Sequence, residues 1–214
     1  MIVLAVVGVV AFFLWKSNQD NNQPVINENN VISPVNTIEE QPVGEESEMA
    51  GYTNNEYKFS FEYSANFIKL SDDDNARLPW SFDSTRPGAR LVSVQLPKEF
   101  AAQTNFSEAT VSVGVTNDTT EVAACIIGDS EPAEKKVING ATFIKTTSSD
   151  AGAGNLYETI SYRILRDGVC MALEQTIHST NIENYSTEQG IKEFDKVKVQ
   201  AALDEVINSF TFAK

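Results

Sequence analysis

The side chains able to do chemistry are few, and their spacing decides against most of it. His178 is the single histidine, and Cys125 and Cys170 are the two cysteines. A Ser-His-Asp triad needs its serine on a constrained turn beside the imidazole. No Gly-x-Ser-x-Gly occurs, and His178 falls within a strand pattern, opposite Tyr157. Two thiols are too few for a structural zinc site of thiolates alone. A site from Cys125, Cys170 and His178 competes with a simpler pairing of the cysteines with each other. There is no Cys-x-x-Cys redox pair, and no cysteine near the N-terminus to carry a lipid.

The acidic residues are abundant, 30 Asp+Glu against 16 Lys+Arg, and abundance makes any one carboxylate pair uninformative. A glycosidase needs two carboxyls across a cleft, which a sequence does not display. Asp72-Asp73-Asp74-Asn75 lacks the alternating spacing and distal glutamate of a calcium loop and reads as a solvated acidic turn. Arg86 and Arg90 flank Pro-Gly-Ala, an arrangement common on loops. Trp80, between Pro79 and Ser81, is expected to be exposed. Gly152 and Gly154 are too few for a phosphate loop or a dinucleotide fingerprint. No catalytic, cofactor-binding or metal-binding residue is therefore assigned. The formal net charge of −14 leaves no basic footprint for nucleic acid and disfavours contact with anionic lipid.

The elements that would position these residues centre on Leu156–Thr180. Two strands meet there at Asp167-Gly168, a strong two-residue hairpin signal. In that register Ile164 faces Met171, Tyr162 faces Leu173 and Ile160 faces Gln175, an apolar face. The other face carries Thr159, Ser161, Arg163, Glu174 and Thr176, and turns apolar only near the turn, at Leu165, Cys170 and Ala172. Alternation predicts further strands at Glu56–Tyr63, Arg90–Leu96 and Ala109–Thr116. The row Tyr57, Phe59, Phe61, Tyr63 reads as core, the largest apolar area available. Lys135–Ile138 and Ala141–Thr147 flank a second hairpin turn at Asn139-Gly140, with a loop over Ser148–Asn155 after them. Thr119–Ile127 reads as a short helix stopped by Gly128. Ser186-Thr187-Glu188-Gln189 fits a capping box, with a helical stripe through Val199, Leu203, Val206 and Phe210 and a last strand at Phe210–Phe212.

The ends of this patterned region carry a resemblance. Tyr52-Thr53-Asn54-Asn55-Glu56-Tyr57-Lys58-Phe59-Ser60-Phe61-Glu62-Tyr63 resembles the opening of PsbP-like domains, written Y-x-N-x-x-Y-G-F-S-F-x-Y-P. Ile207-Asn208-Ser209-Phe210-Thr211-Phe212 is similar to their closing I-x-x-F-x-F. Lys58 stands where the family favours Gly, and Ser64 where it favours Pro. The resemblance implies an α/β/α sandwich on an antiparallel sheet, a fold found in many prokaryotic extracytoplasmic proteins behind an anchor and a linker. The role of photosynthetic members at the oxygen-evolving centre is not implied, since no residues here match it.

Residues 1–50 differ in kind. Ile2–Trp15 is an unbroken apolar run, about 21 Å as a helix against a bilayer core of about 30 Å. It has no basic flank before it and no small-x-small cleavage site after it. The expectation is an uncleaved transmembrane anchor over 1–16, a signal anchor in type. Lys16 alone leaves orientation unsettled by charge. Residues 17–50, rich in Asn, Gln, Glu and Pro and without an aromatic residue, read as a disordered acidic linker. The folded domain is then expected at 51–214, with an α+β fold.

A Cys125–Cys170 disulfide is expected on the same grounds. An anchored domain with an acidic tail belongs in an oxidising exterior. Cys170 lies on the hairpin face that is apolar only nearby, and the short helix carrying Val122, Ala123, Cys125, Ile126 and Ile127 is the available cover. The C-terminal helix takes the opposite face. The function expected is a membrane-tethered extracytoplasmic domain that binds an unidentified protein partner or supports an envelope assembly, without catalysis. The alternative is an extracytoplasmic ligand-binding protein or hydrolase with a site of scattered carboxylates.

Overall fold

The computed structural model describes residues 48–127 and 134–213. The expected anchor at 1–16 and residues 17–47 of the expected linker lie outside the described residues. Among the described residues no helix is long and apolar enough to cross a membrane.

The chain opens with β1 (Met49–Asn54) and β2 (Phe59–Ser64), then β3 (Ile68–Lys69), α1 (Asp72–Ala76) and β4 (Ala89–Leu96). Next come β5 (Phe106–Thr116), α2 (Thr119–Ala124), β6 (Glu134–Ile138) and β7 (Ala141–Gly152). It closes with β8 (Asn155–Arg166), β9 (Val169–Thr180), α3 (Lys196–Ser209) and β10 (Thr211–Phe212). Seven strands form an antiparallel sheet in the order β3-β4-β5-β9-β8-β7-β6, and three more pair as β1-β2-β10. Among the described residues this is an α+β fold of antiparallel sheets with few helices.

The hairpin β8–β9 has the expected register: Ile164 faces Met171, Tyr162 faces Leu173, and Tyr157 faces His178. Its turn residues Asp167 and Gly168 both have positive φ, 51° and 81°, which matches the right-handed twist of the strands it joins. Asn139 and Gly140 repeat the device at 43° and 85°. A third such turn stands where the sequence reads as a loop. The strand β7 runs through that stretch to Gly152, pairs with β8 down to Gly152↔Asn155, and reverses at Ala153 and Gly154 with φ of 50° and 80°. Ser148-Ser149-Asp150-Ala151-Gly152 has poor intrinsic strand preference, and the ladder offered by β8 overrides it.

One face of the large sheet is apolar and closed. Val92, Val94, Val111, Val113 and Leu173 lie beneath Val199, Leu203, Val206 and Ile207 of α3. Phe59, Phe61 and Tyr63 of β2 join the same core, as expected for that row, and Phe59 stacks on Phe210 with ring centroids 5.3 Å apart. Tyr57 does not belong to the strand. It sits in the turn before it, and Lys58 there has a φ of 56°, the left-handed conformation a glycine takes at less cost. The carbonyl end of α3 is held by the β6–β7 turn: Asn139 Nδ2 donates to Asn208 O and Phe210 O, both at 2.8 Å.

The long C-terminal helix starts later than expected. The capping box at Ser186 forms, but it caps one 3-10 turn, Thr187–Gln189, ended by Gly190 at a φ of 63°. An extended stretch comes after it, tied down by Lys192 N to Gln103 O and Asn105 N to Lys192 O at 3.2 and 2.9 Å. Only then does Asp195 cap α3, its side chain accepting from Lys198 N. A left-handed glycine ends a helix whatever the stripe beyond it.

The opposite face departs from a helix-covered sandwich. Its cover is the segment after α1 together with α2, six residues long. The acidic run 72–75 is the first turn of α1, capped by Ser71, where carboxylates oppose the positive helix end.

Candidate functional site

Two glycines, Gly114 in β5 and Gly88 just before β4, leave the room that Trp80 occupies. A Cβ on Gly114 of β5 would lie 1.7 Å from Trp80 O, and one on Gly88 would lie 2.5 Å from the Trp80 ring. Trp80 is held against Gly114 by its backbone and against Gly88 by its ring and is 1% exposed, which overturns the expectation of a surface ring. It shares a small core with Cys125, Cys170 and Ala172. The cover of this patch is thus Trp80 with Val122, while Ile126 and Ile127 of the expected cover are 50% and 68% exposed. The disulfide itself forms as expected, with Cys125 and Cys170 Cα atoms 5.6 Å apart.

Around Trp80 a charged network is built into the sheet. Glu174, 2% exposed, accepts from Ser81 Oγ at 2.7 Å and from Phe82 N at 2.8 Å. Arg163, one strand over, donates through Nη2 to the same Ser81 Oγ at 3.0 Å and lies over the Trp80 ring. Arg90 sits at a register shift in β4, which re-aims a side chain, and its Nε donates to Pro79 O at 2.8 Å. Burial lowers the Arg90 pKa, and the charge of Glu174 opposes that shift. A buried carboxylate must be met by donors and opposite charge to be tolerated. Here Ser81 Oγ and the Phe82 amide donate to it, the charge of Arg90 acts on it, and Arg163 reaches it only through Ser81.

His178 lies at the far end of this face. Its ring stacks on Tyr157 at 4.4 Å, Nε2 is 2.9 Å from Asn155 Oδ1, and Nδ1 is 3.7 Å from Glu108 Oε1. Glu108 also accepts from Gln95 at 2.7 Å. Nε2 is hydrogen-bonded to Asn155 and Nδ1 faces Glu108, and among the described residues no serine is a partner of either. Among the described residues no three His, Cys, Asp or Glu side chains gather as a metal site.

On the helix-covered face a second polar group threads the core. Gln175 donates to Asp204 Oδ1 at 2.8 Å and accepts from Gln200 at 2.7 Å. Beside it the Tyr162 hydroxyl is pushed up to about 12, first by burial and then by Asp204 and Glu134. Arg86, the other arginine of the 86–90 loop, pairs with Glu121 at 3.6 Å across a cleft of about 470 Å³ that also reaches Arg163.

Sequence reading missed the Trp80–Ser81–Glu174–Arg163 group. The available signal was Gly114, alone in a valine-rich strand, where an isolated glycine marks close backbone approach.

The molecule is thus an α+β protein in which one antiparallel sheet is closed by a helix on one side and by a loop on the other. No protein-family model and no curated protein matches the chain. Among solved structures it is similar to a protein from Bacteroides thetaiotaomicron, at 10% identity and a TM-score of 0.41, covering 77% of this chain and 48% of that one. The chain therefore spans about half the length of that protein. It is similar also to LpqN, involved in cell envelope biogenesis of Mycobacterium tuberculosis, at 10% identity and a TM-score of 0.38, covering 80% and 88%. Cyanobacterial PsbP from Synechocystis shares 15% identity with a TM-score of 0.29, covering 81% and 96%.

Proposed function

We propose that the chain is a membrane-tethered extracytoplasmic domain of PsbP-like type, non-enzymatic, which binds a protein partner or supports an envelope assembly. The observation that carries this reading is the buried Cys125–Cys170 disulfide, 2% and 0% exposed at its two ends. Structural disulfides persist where the surroundings are oxidising. The two ends of the chain that bear the PsbP-like pattern also meet: β10 pairs with β2 through Thr211↔Ser60 and Phe212↔Phe59. A non-catalytic role is supported by the use of the reactive groups. Glu174 is spent on Ser81 and Phe82, and His178 is held by Asn155 and Tyr157. The tether rests on the apolar run Ile2–Trp15 and the polar stretch after it.

The test is fractionation of the full chain and then cross-linking in native membranes. The expected result is a membrane-bound, externally protease-accessible protein that yields one discrete cross-linked product. Recovery as a shortened soluble protein, or a cytoplasmic location with free thiols, rejects the reading.

A further inference from the structure

Arg163 has more hydrogen-bonding capacity than its neighbours use. A guanidinium carries five N–H donors in a rigid fork. Nη2 spends one on Ser81 Oγ, and among the described residues the buried Nε has no partner and no hydrogen bond uses Nη1. Its Cζ lies 5.5 Å from the centroid of the buried Trp80 ring. Ring and hydroxyl together fix the plane of the guanidinium, so little freedom is left to lose when an anion arrives.

This fixed cation lines the cleft of about 470 Å³ beside α2, within the range of roughly 300–1,000 Å³ that small-molecule sites occupy. Asp83, Arg86 and Glu121 line it as well, with Thr146 and Ile144 from β7. Glu121 accepts from Ser84 Oγ at 3.1 Å through Oε1, the oxygen that Arg86 also approaches. Among the described residues its Oε2 accepts nothing. Two arginines and two carboxylates leave the cleft neutral, while the chain as a whole is at −14. A polyanion is repelled by that field and a simple cation is repelled by Arg163. A neutral molecule with one charge of each sign satisfies both walls.

We propose that this cleft binds a small zwitterion of amino-acid or dipeptide type. Its carboxylate meets Arg163, its ammonium meets Glu121 and Asp83, and its apolar part lies toward Ile144. This goes beyond the proposed partner-binding role and does not depend on it. Arg163 also offsets Glu174 through Ser81, so the test reads the ligand's own charges rather than stability alone.

Titrate the full chain in detergent micelles with Ala-Ala by calorimetry, and in parallel with N-acetyl-Ala-Ala and with Ala-Ala amide. Ala-Ala is expected to bind with a sub-millimolar Kd, and each capped form at least about tenfold more weakly, the loss of one charge-assisted contact. Arg163→Gln should weaken Ala-Ala and the acetylated form and leave the amide unchanged. Glu121→Gln should weaken Ala-Ala and leave the acetylated form unchanged; this variant decides the matter if Arg163→Gln does not fold. No saturable heat with Ala-Ala, equal binding of the three peptides, or equal weakening of free and acetylated peptide by Glu121→Gln overturns the proposal.

Discussion

The two faces of the seven-stranded sheet are closed by different physics. Under α3 the contacts are mostly aliphatic and aromatic and non-directional, with Val199, Leu203, Val206 and Ile207 from the helix, beside one hydrogen-bonded group at Gln175, Gln200 and Asp204. Under the Trp80 segment the apolar cluster is four buried residues, and the remainder is a carboxylate, two arginines, a serine and a backbone amide in specific positions. Area removed from water stabilises the first face by about 25 cal/mol per Å². The second depends on a few groups that must all be present, because a buried charge that loses its partners costs more than the partners contributed. The first face tolerates repacking; the second tolerates little.

The sharpest way to test that contrast is to cut one large residue from each side. Trp80→Ala should lose about 3–5 kcal/mol and Leu203→Ala about 2–5 kcal/mol, both measured by urea unfolding. The two variants should differ in their response to protease. Leu203→Ala should keep the 77–86 segment protected, whereas Trp80→Ala should expose it, because Ser81 and Phe82 no longer hold Glu174. Equal protection in both variants would mean that the Trp80 ring is not what docks the segment.

Loss of the disulfide should have the next largest effect. It spans a sequence separation of 45 residues and ties α2 to the polar face. The chain-entropy model gives roughly 4 kcal/mol for a loop of that length, so the Cys125→Ser/Cys170→Ser double variant should melt lower by a comparable amount. A loss under about 1 kcal/mol, read from the same denaturant curves, would show that Trp80 alone secures this face.

A smaller effect belongs to the helix-covered face and appears only at high pH. Tyr162 titrates at about 12 in the folded protein against an ordinary value of 10.0. Between those values the unfolded chain has released the proton while the folded chain keeps it, so stability falls as pH rises. The contribution is whole below about 10 and lost on passing about 12. Tyr162→Phe should flatten the decline in melting temperature across that window relative to the parent chain. An identical slope in both proteins would remove burial of this hydroxyl as its cause.

The smallest change tests the turn between β7 and β8, which both faces share. Ala153 holds a φ of 50°, a region that costs a non-glycine residue roughly 1–2 kcal/mol. Ala153→Gly should raise stability by up to about 1 kcal/mol, since glycine's greater chain entropy when unfolded takes back part of the gain. A fall in stability would place Ala153 in a contact that matters more than its backbone.

Much of the sheet is legible in the sequence because period-two alternation and turn chemistry are local. Asp167-Gly168 and Asn139-Gly140 announce their hairpins, since few residues accept two successive positive φ angles. Register comes with them, down to Tyr157 opposite His178. Ala153-Gly154 announces nothing, because alanine is not a turn signal and the strand before it is built of Ser, Asp and Gly. The Ser186 pattern identifies a capping box correctly but misplaces the start of α3, because Gly190 and the pairing of Lys192 intervene. The Cys125–Cys170 pair is legible from the cysteine count, the expected exterior location and one lopsided hairpin face.

What the amino-acid order determines alone is therefore the alternation, the two announced turns, the apolar stripe of α3, the cysteine pair and the acidic charge. These depend on neighbours within a few residues, or on totals. What only the tertiary structure decided is the cover of the polar face. Trp80 meets Gly114 across 34 positions of sequence, and Ser81 meets Glu174 across 93. No local pattern encodes such a meeting. It depends on a close approach that a single missing Cβ permits and that a buried carboxylate then requires.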